Sequence, residues 1–192
     1  MKQLRWVGMM LVALVLMACG SSSSNTATGA PTATAMAGHD MTAMSMTNDA
    51  PYDALFIDSM IVHHQGAIAM AQEALEKAQH TELKQFAQNV IMVQDGEITQ
   101  MQVWRHDWYP KVAISAGTGM DMGDMVVAQD DRFSYDVRWI NSMISHHQAA
   151  ITMAKEALTK AEHSDIKNLA QAIIDTQSAE VTQLEKWRDQ WR

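Results

Sequence analysis

The chain has 192 residues, long enough for one core, with 14 basic and 22 acidic side chains and a formal net charge of −8. An acidic chain with no basic cluster excludes nucleic acid and anionic membrane surfaces as charged partners and leaves cations as the favoured class. The single cysteine excludes an intrachain disulfide.

In chain order, the first segment is MKQLRWVGMMLVALVLMACGSSSS: Lys2 and Arg5, an apolar run from Trp6 to Ala18, then Cys19. The run is too short to span a bilayer as a helix and suits the apolar core of a signal peptide. LMAC at 16–19 resembles a bacterial lipobox, which implies cleavage before Cys19 and a lipid on its sulfur. Residues 1–18 are therefore expected to be a lipoprotein signal peptide. The mature protein is expected outside the cytoplasm, lipid-anchored to a bacterial envelope membrane facing the periplasm or the cell surface. Loss of Lys2 and Arg5 takes the formal charge to −10. Residues 19–50 are rich in Ser, Thr, Ala and Gly without an apolar period, and read as a flexible linker. One stretch of it, MAGHDMTAMSM, carries His39, Met41, Met44 and Met46.

Residues 51–192 contain a repeat. The segment 56–108 aligns without gaps to 139–191, with roughly half the positions identical. Shared residues include Met60/Met143, His63/His146, His64/His147, Met70/Met153, His80/His163, Gln94/Gln177, Glu97/Glu180, Trp104/Trp187 and Trp108/Trp191. Each copy reads as two helices. The first is expected from about Tyr52 to Gln79, rich in good helix formers and with Pro51 at its start. Thr81 and Ser164 stand where N-caps would open the second helices. His80 and His163 then fall at the C-termini of the first helices, where imidazole interacts favourably with the helix dipole. The second helix carries Leu83, Phe86, Val90, Ile98, Met101, Trp104 and Trp108 at three- and four-residue steps, and Pro110 ends it. Trp104, Trp108, Trp187 and Trp191 are expected to close one end of the molecule.

A turn this short makes each copy an αα-hairpin. One hairpin cannot cover its own apolar face. The expected fold is therefore all-α, an antiparallel four-helix bundle built from two repeated hairpins, with helices about 40 Å long. Repeat 1 spans about 52–110, a loop about 111–130 and repeat 2 about 131–192. The loop contains SAGTGMDMGDM, in which Met120, Met122 and Met125 alternate with Asp and Gly. It is too polar and Gly-rich to pack, so core packing does not account for its methionines, nor for those of the linker.

Within the first helix, His63 and His64 lie about 100° apart and straddle the face defined by Met60, Ala67 and Ala74. Met60 neighbours both, and Met70 lies two turns beyond His63 on its side. Imidazole and thioether together suit copper, and thioether favours Cu(I). A thioether also needs no deprotonation and forms no disulfide in an oxidising compartment. A lone Met or His on such a face is ordinarily packing. An HH pair flanked by Met and written twice is a costly filler, because buried imidazoles need partners. The polar Met-rich segments point independently to soft-metal capture. Glu97, Glu180 and Met101 are weaker candidates; Leu184 replaces Met101 in repeat 2, so the halves are unequal if Met101 is a ligand.

FIDSMIVHHQGAIAMAQEAL and WINSMISHHQAAITMAKEAL share M-x-x-H-H-Q-x-A-I-x-M-A and resemble the signature of the bacterial family catalogued as domain of unknown function 305. The resemblance covers about 51–192. It implies an exported, ferritin-like four-helix bundle that binds copper and supports copper resistance outside the cytoplasm. Residue by residue, the implied ligands are Met60, His63, His64 and Met70 with Met143, His146, His147 and Met153. The expected function is capture, storage or carriage of Cu(I), with Cu(II) and Ag(I) as further ions and other copper-handling envelope proteins as partners. A ferritin-like oxidoreductase is the enzymatic alternative, but no Glu has His three residues on, as such di-metal sites require. The third reading is a structural or partner-binding bundle without metal.

Overall fold

The computed structural model describes residues 50–115 and 121–192. Among them are four helices and no strand: α1 Tyr52–Lys77, α2 Thr81–Trp108, α3 Tyr135–Lys160 and α4 Ser164–Trp191. The repeat is exact in element length, 26 residues for α1 and α3 and 28 for α2 and α4. α1 packs on α2 and α3 on α4, and the hairpins meet mainly through α1 and α3. No described helix is long and apolar enough to cross a membrane.

The hairpin turns form differently from the sequence expectation. α1 ends at Lys77 and Ala78 is extended (φ −63°, ψ 142°). His80 and His163 occupy the residue before α2 and α4, so they belong to helix starts and not to the C-terminal dipole of the preceding helices. Neither Thr81 nor Ser164 is the cap. The free N–H groups at each start are capped by an aspartate from the other repeat. Asp136 of α3 accepts from the Gln79 and His80 backbone N–H and from His80 Nδ1 at 2.6 Å. Asp53 of α1 does the same for Glu162, His163 and His163 Nδ1 at 2.7 Å. Both carboxylates are buried. Burial works to raise the Asp53 carboxyl, but the bonds from His163 and Glu162 outweigh it and hold it below the usual carboxylate range.

Each turn imidazole also stacks on the last tryptophan of the opposite hairpin: His80 on Trp191 at 3.7 Å and His163 on Trp108 at 3.9 Å. Trp104 stacks on Trp108, and Trp187 on Trp191. The tryptophans therefore close both ends, one pair each, because α2 and α4 run in opposite directions.

The apolar core divides in two. Phe56, Ile57 and Met60 of α1 join one cluster with Met101, Met153 and Ile173. Ala67, Met70, Ala71 and Ala74 join the other, with Trp139, Met143 and Leu184. His63 and His64 fall between these runs, and His146 and His147 occupy the equivalent place in α3. The asymmetry between repeats lies in the long connection. Arg105 is buried, pairs with Asp58 at 2.7 Å, and donates to the carbonyls of Tyr109, Val112 and Ala113, which folds the chain after α2 back onto α1. Repeat 2 has Asn141 in place of Asp58, and Arg188 turns to Glu185 and Asp189.

Candidate functional site

The antiparallel crossing of α1 and α3 puts His63 and His146 face to face. Their ring centroids are 3.6 Å apart, and both side chains are fully buried. Each Nε2 reaches the other's backbone carbonyl, His63 to His146 O at 3.0 Å and His146 to His63 O at 3.1 Å. A carbonyl only accepts, so each Nε2 carries the proton; in a neutral ring Nδ1 is then a bare lone pair. The rings are held neutral. Burial, followed by the charges of the neighbouring imidazoles, pushes His63 down to about 2 and His146 down to about 3.

His64 and His147, also fully buried, turn toward the second helices of their own hairpins. His64 Nε2 lies 2.6 Å from Glu97 Oε2. His147 Nε2 lies 2.9 Å from Glu180 Oε2 but off the hydrogen-bonding direction, so it makes an ionic-range contact and no hydrogen bond. Glu97 thus holds His64 by one ring nitrogen and leaves the other free, the arrangement by which a carboxylate orients a metal-binding imidazole. Eleven buried side-chain nitrogen and oxygen atoms among the described residues lack a hydrogen-bond partner. Seven belong to this layer: Nδ1 of all four histidines, His147 Nε2, and Oε1 of Gln94 and Gln177. Buried polar atoms are ordinarily satisfied, so this concentration marks a place built for something else.

The helix methionines are shared out between the two sides of the layer. Met60, Met101 and Met153 lie in one apolar cluster, Met70 and Met143 in the other beside Leu184. Met60 is thus grouped with Met153 of the other repeat and not with Met70 of its own. Met70 also gives its carbonyl to Trp139 Nε1 at 2.8 Å. No three His, Cys, Asp or Glu side chains among the described residues converge at metal-ligand spacing.

The loop methionines depart from expectation, because the loop does pack. Met122 rests on the cluster containing Met60. Met125 fills the notch left by Gly66: a Cβ there would stand 2.4 Å from Met125 Cε and 2.9 Å from Sδ, with His146 Nε2 at 3.4 Å. Gly123 permits this with φ 62°, and a Cβ on it would meet Ser145 O at 2.6 Å. Two glycines therefore let a polar loop lie close on α3 and bring a thioether beside His146. The signal in the sequence is that repeat 2 has Ala149 where repeat 1 has Gly66. Gln94 and Gln177 were visible as retained positions but were not assigned to the site. Met120, His39, Met41, Met44, Met46 and Cys19 lie outside the described residues, as does the proposed signal segment.

A family model described as a domain of unknown function matches residues 10–105 and 113–192. Among solved structures, CopM in the Cu(I)-bound form is 40% identical, with a TM-score of 0.62 over 72% of this chain and 96% of that one. CopM in the Cu(II)-bound form is 39% identical, with a TM-score of 0.62 over 73% and 97%. A putative secreted protein of Streptomyces coelicolor is 23% identical, covers 70% of this chain and 90% of that one, and shares the fold at a TM-score of 0.58. Among curated proteins none matches. The chain belongs to the domain of unknown function 305 family.

Proposed function

We propose that this protein binds copper ions through the central His layer and its flanking thioethers, with Cu(I) as the favoured state, and that it captures, stores or carries them. The observation that carries the reading is the set of four buried Nδ1 atoms without partners, at least two of them on rings held neutral and therefore free to coordinate without first losing a proton. Neutral imidazole and thioether make a donor set for copper and silver and a poor one for hard cations. CopM, 39–40% identical over nearly all of its own length, has structures with Cu(I), Cu(II) and Ag bound. In this reading Met125, seated beside His146, passes ions from the Met-rich loop to the layer. The protein acts outside the cytoplasm, tethered through a lipid on Cys19, and contributes to copper resistance.

A competition titration of Cu(I) against a chromophoric chelator tests the reading. The wild type is expected to strip the chelator. A variant with His63, His64, His146 and His147 changed to Leu is expected to lose that ability. If instead only replacement of Met120, Met122 and Met125 abolishes competition, the His layer is structural. Failure of the wild type against a weak chelator removes the copper reading. Incorporation of labelled palmitate, lost in Cys19→Ala, tests the anchor.

A further inference from the structure

Exposed apolar surface on the helices is confined to one half of the duplicated fold. Among the described helix residues, the large hydrophobic side chains that stand in solvent are Val62, Met92, Val93 and Val103, all in repeat 1. α3 and α4 expose none. Three of the four lie on α2, where Met92 is 68% and Val103 49% exposed. The duplication supplies the comparison. Repeat 2 has Asp175, Thr176 and Lys186 where repeat 1 has Met92, Val93 and Val103. The fold therefore does not need apolar side chains at these outward positions.

On α2 these residues form a seam. Met92, Gly96, Thr99 and Val103 follow one another at steps of four, three and four, the spacing by which one helix packs along another. All four are exposed, and at 100° per residue they share an arc of about 60°. A helix interior disfavours Gly, and a Cβ on Gly96 would meet nothing within 4 Å. No contact inside the chain asks for Gly there, whereas close approach of a second helix does. Thr99 spends its hydroxyl on Asp95 O at 3.0 Å, so it brings no unmet donor to a dry seam.

The seam is self-complementary. With α2 antiparallel to α2 of a second copy, about a twofold between Glu97 and Ile98, Met92 of one copy faces Val103 of the other and Gly96 faces Thr99. Large residues meet at the two ends and small ones at the centre, which is an isologous contact. Of the described residues between Gln85 and Val103, only Asp95 is both charged and exposed. In an antiparallel pair its flank lies against the same flank of the partner helix, where Gln102 offers an amide donor. No like charges meet along the seam, although the chain as a whole carries −8. α4 is no substitute, because it exposes Asp175, Ala179, Thr182 and Lys186 at the equivalent positions. A seam of about 18 Å is smaller than the ~800 Å² per partner of a stable interface, so the pairing is weak and reversible.

We propose that the outer face of α2 is a docking surface for a second copy of this chain, paired antiparallel through Met92, Gly96, Thr99 and Val103. The two repeats thereby divide the work: repeat 1 presents the contact and repeat 2 keeps a polar exterior. None of the four residues belongs to the His layer, so the pairing stands independently of the copper reading.

The test is sedimentation velocity of the metal-free full-length chain over a wide concentration range, carrying Cys19→Ser so that no disulfide can join two molecules. A reversible monomer–dimer equilibrium is expected. Met92→Lys/Val103→Lys sets like charges against each other at both ends of the seam, and should weaken association at least tenfold with helical circular dichroism unchanged. Met92→Asp/Val103→Lys should recover it, because only the antiparallel register sets position 92 against position 103 of the other copy. Gly96→Leu, open to solvent in the single chain, should weaken pairing by blocking the close approach. A chain that stays monomeric at every concentration overturns the proposal. Association undiminished in Met92→Lys/Val103→Lys also overturns it and moves the contact to another surface. Failure of Met92→Asp/Val103→Lys to recover association overturns the antiparallel pairing. Cu(I) competition should be the same in all these variants, so loss of copper binding in the wild type would sink the copper reading and leave this one standing.

Discussion

His63 and His146 each spend their one N–H on a backbone carbonyl of the facing helix. Those carbonyls belong to helix interiors, so the contacts are additional to the backbone ladder and their loss strands no buried donor. The double variant His63→Leu/His146→Leu is therefore expected to leave the metal-free protein within about 1 kcal/mol of wild type in urea denaturation, while Cu(I) affinity collapses. A structural role for the pair predicts the converse. Gly66 offers a second separation of roles. Gly66→Ala gains helix propensity worth about 1 kcal/mol but pushes Met125 from beside His146. Cu(I) competition should weaken while the thermal midpoint holds or rises, and Gly66→Ala/Met125→Leu should be no weaker than the single variant. The HH pairs and their methionines were legible in the sequence because the repeat printed them twice. The split of Met60 with Met153 and Met70 with Met143 was not, since a helical wheel shows which residues share a face of one helix and says nothing of which end of a neighbour that face meets.

At the level of elements, the starts of α2 and α4 depend on the other hairpin. Asp136 satisfies two backbone N–H groups and the His80 ring, and Asp53 serves Glu162 and His163 identically. Asp136→Ala strips a capping carboxylate and leaves those part-buried donors without a protein partner. A loss of about 3 kcal/mol in chemical denaturation is expected, with altered Trp191 fluorescence as His80 leaves its stack. Asp136→Asn, which keeps one acceptor, should cost less. Helix existence, length and pairing all followed from composition and period, but the caps did not. Thr81 and Ser164 were attractive because capping rules look one turn away, whereas the aspartates that cap come from 56 and 110 residues along the chain. The tryptophans misled for a related reason: the i, i+4 spacing shows that two rings adjoin, and only the opposed directions of α2 and α4 show that the two pairs part company.

The four-helix unit is two hairpins locked at three levels, an Asp–His–Trp clamp at each end and an imidazole layer in the middle, and all three levels contain titratable groups. Their signs agree. His63 and His146 are neutral when folded down to about pH 2 and 3, while in the unfolded chain they take protons below about 6.5. The unfolded state therefore binds more protons throughout that interval, and stability rises with pH. The contribution is fully present above about pH 6.5. It is lost as pH falls, each ring reducing the folding constant by about tenfold per unit. Asp53, held low by its bonds to His163 and Glu162, adds loss in the same direction once pH drops below the ordinary carboxylate value near 4. Urea denaturation of the metal-free protein should show the midpoint falling steadily from pH 7 to pH 5, where most carboxylates of the unfolded chain are still ionised. His63→Leu/His146→Leu should flatten that slope and leave the steeper fall below pH 4 intact. A wild-type midpoint constant between pH 7 and pH 5 would mean that the imidazoles protonate in the folded bundle, and the bare Nδ1 lone pairs on which copper binding rests would be lost with them. Cu(I) should restore the midpoint at pH 5, because an ion on Nδ1 binds the folded state alone.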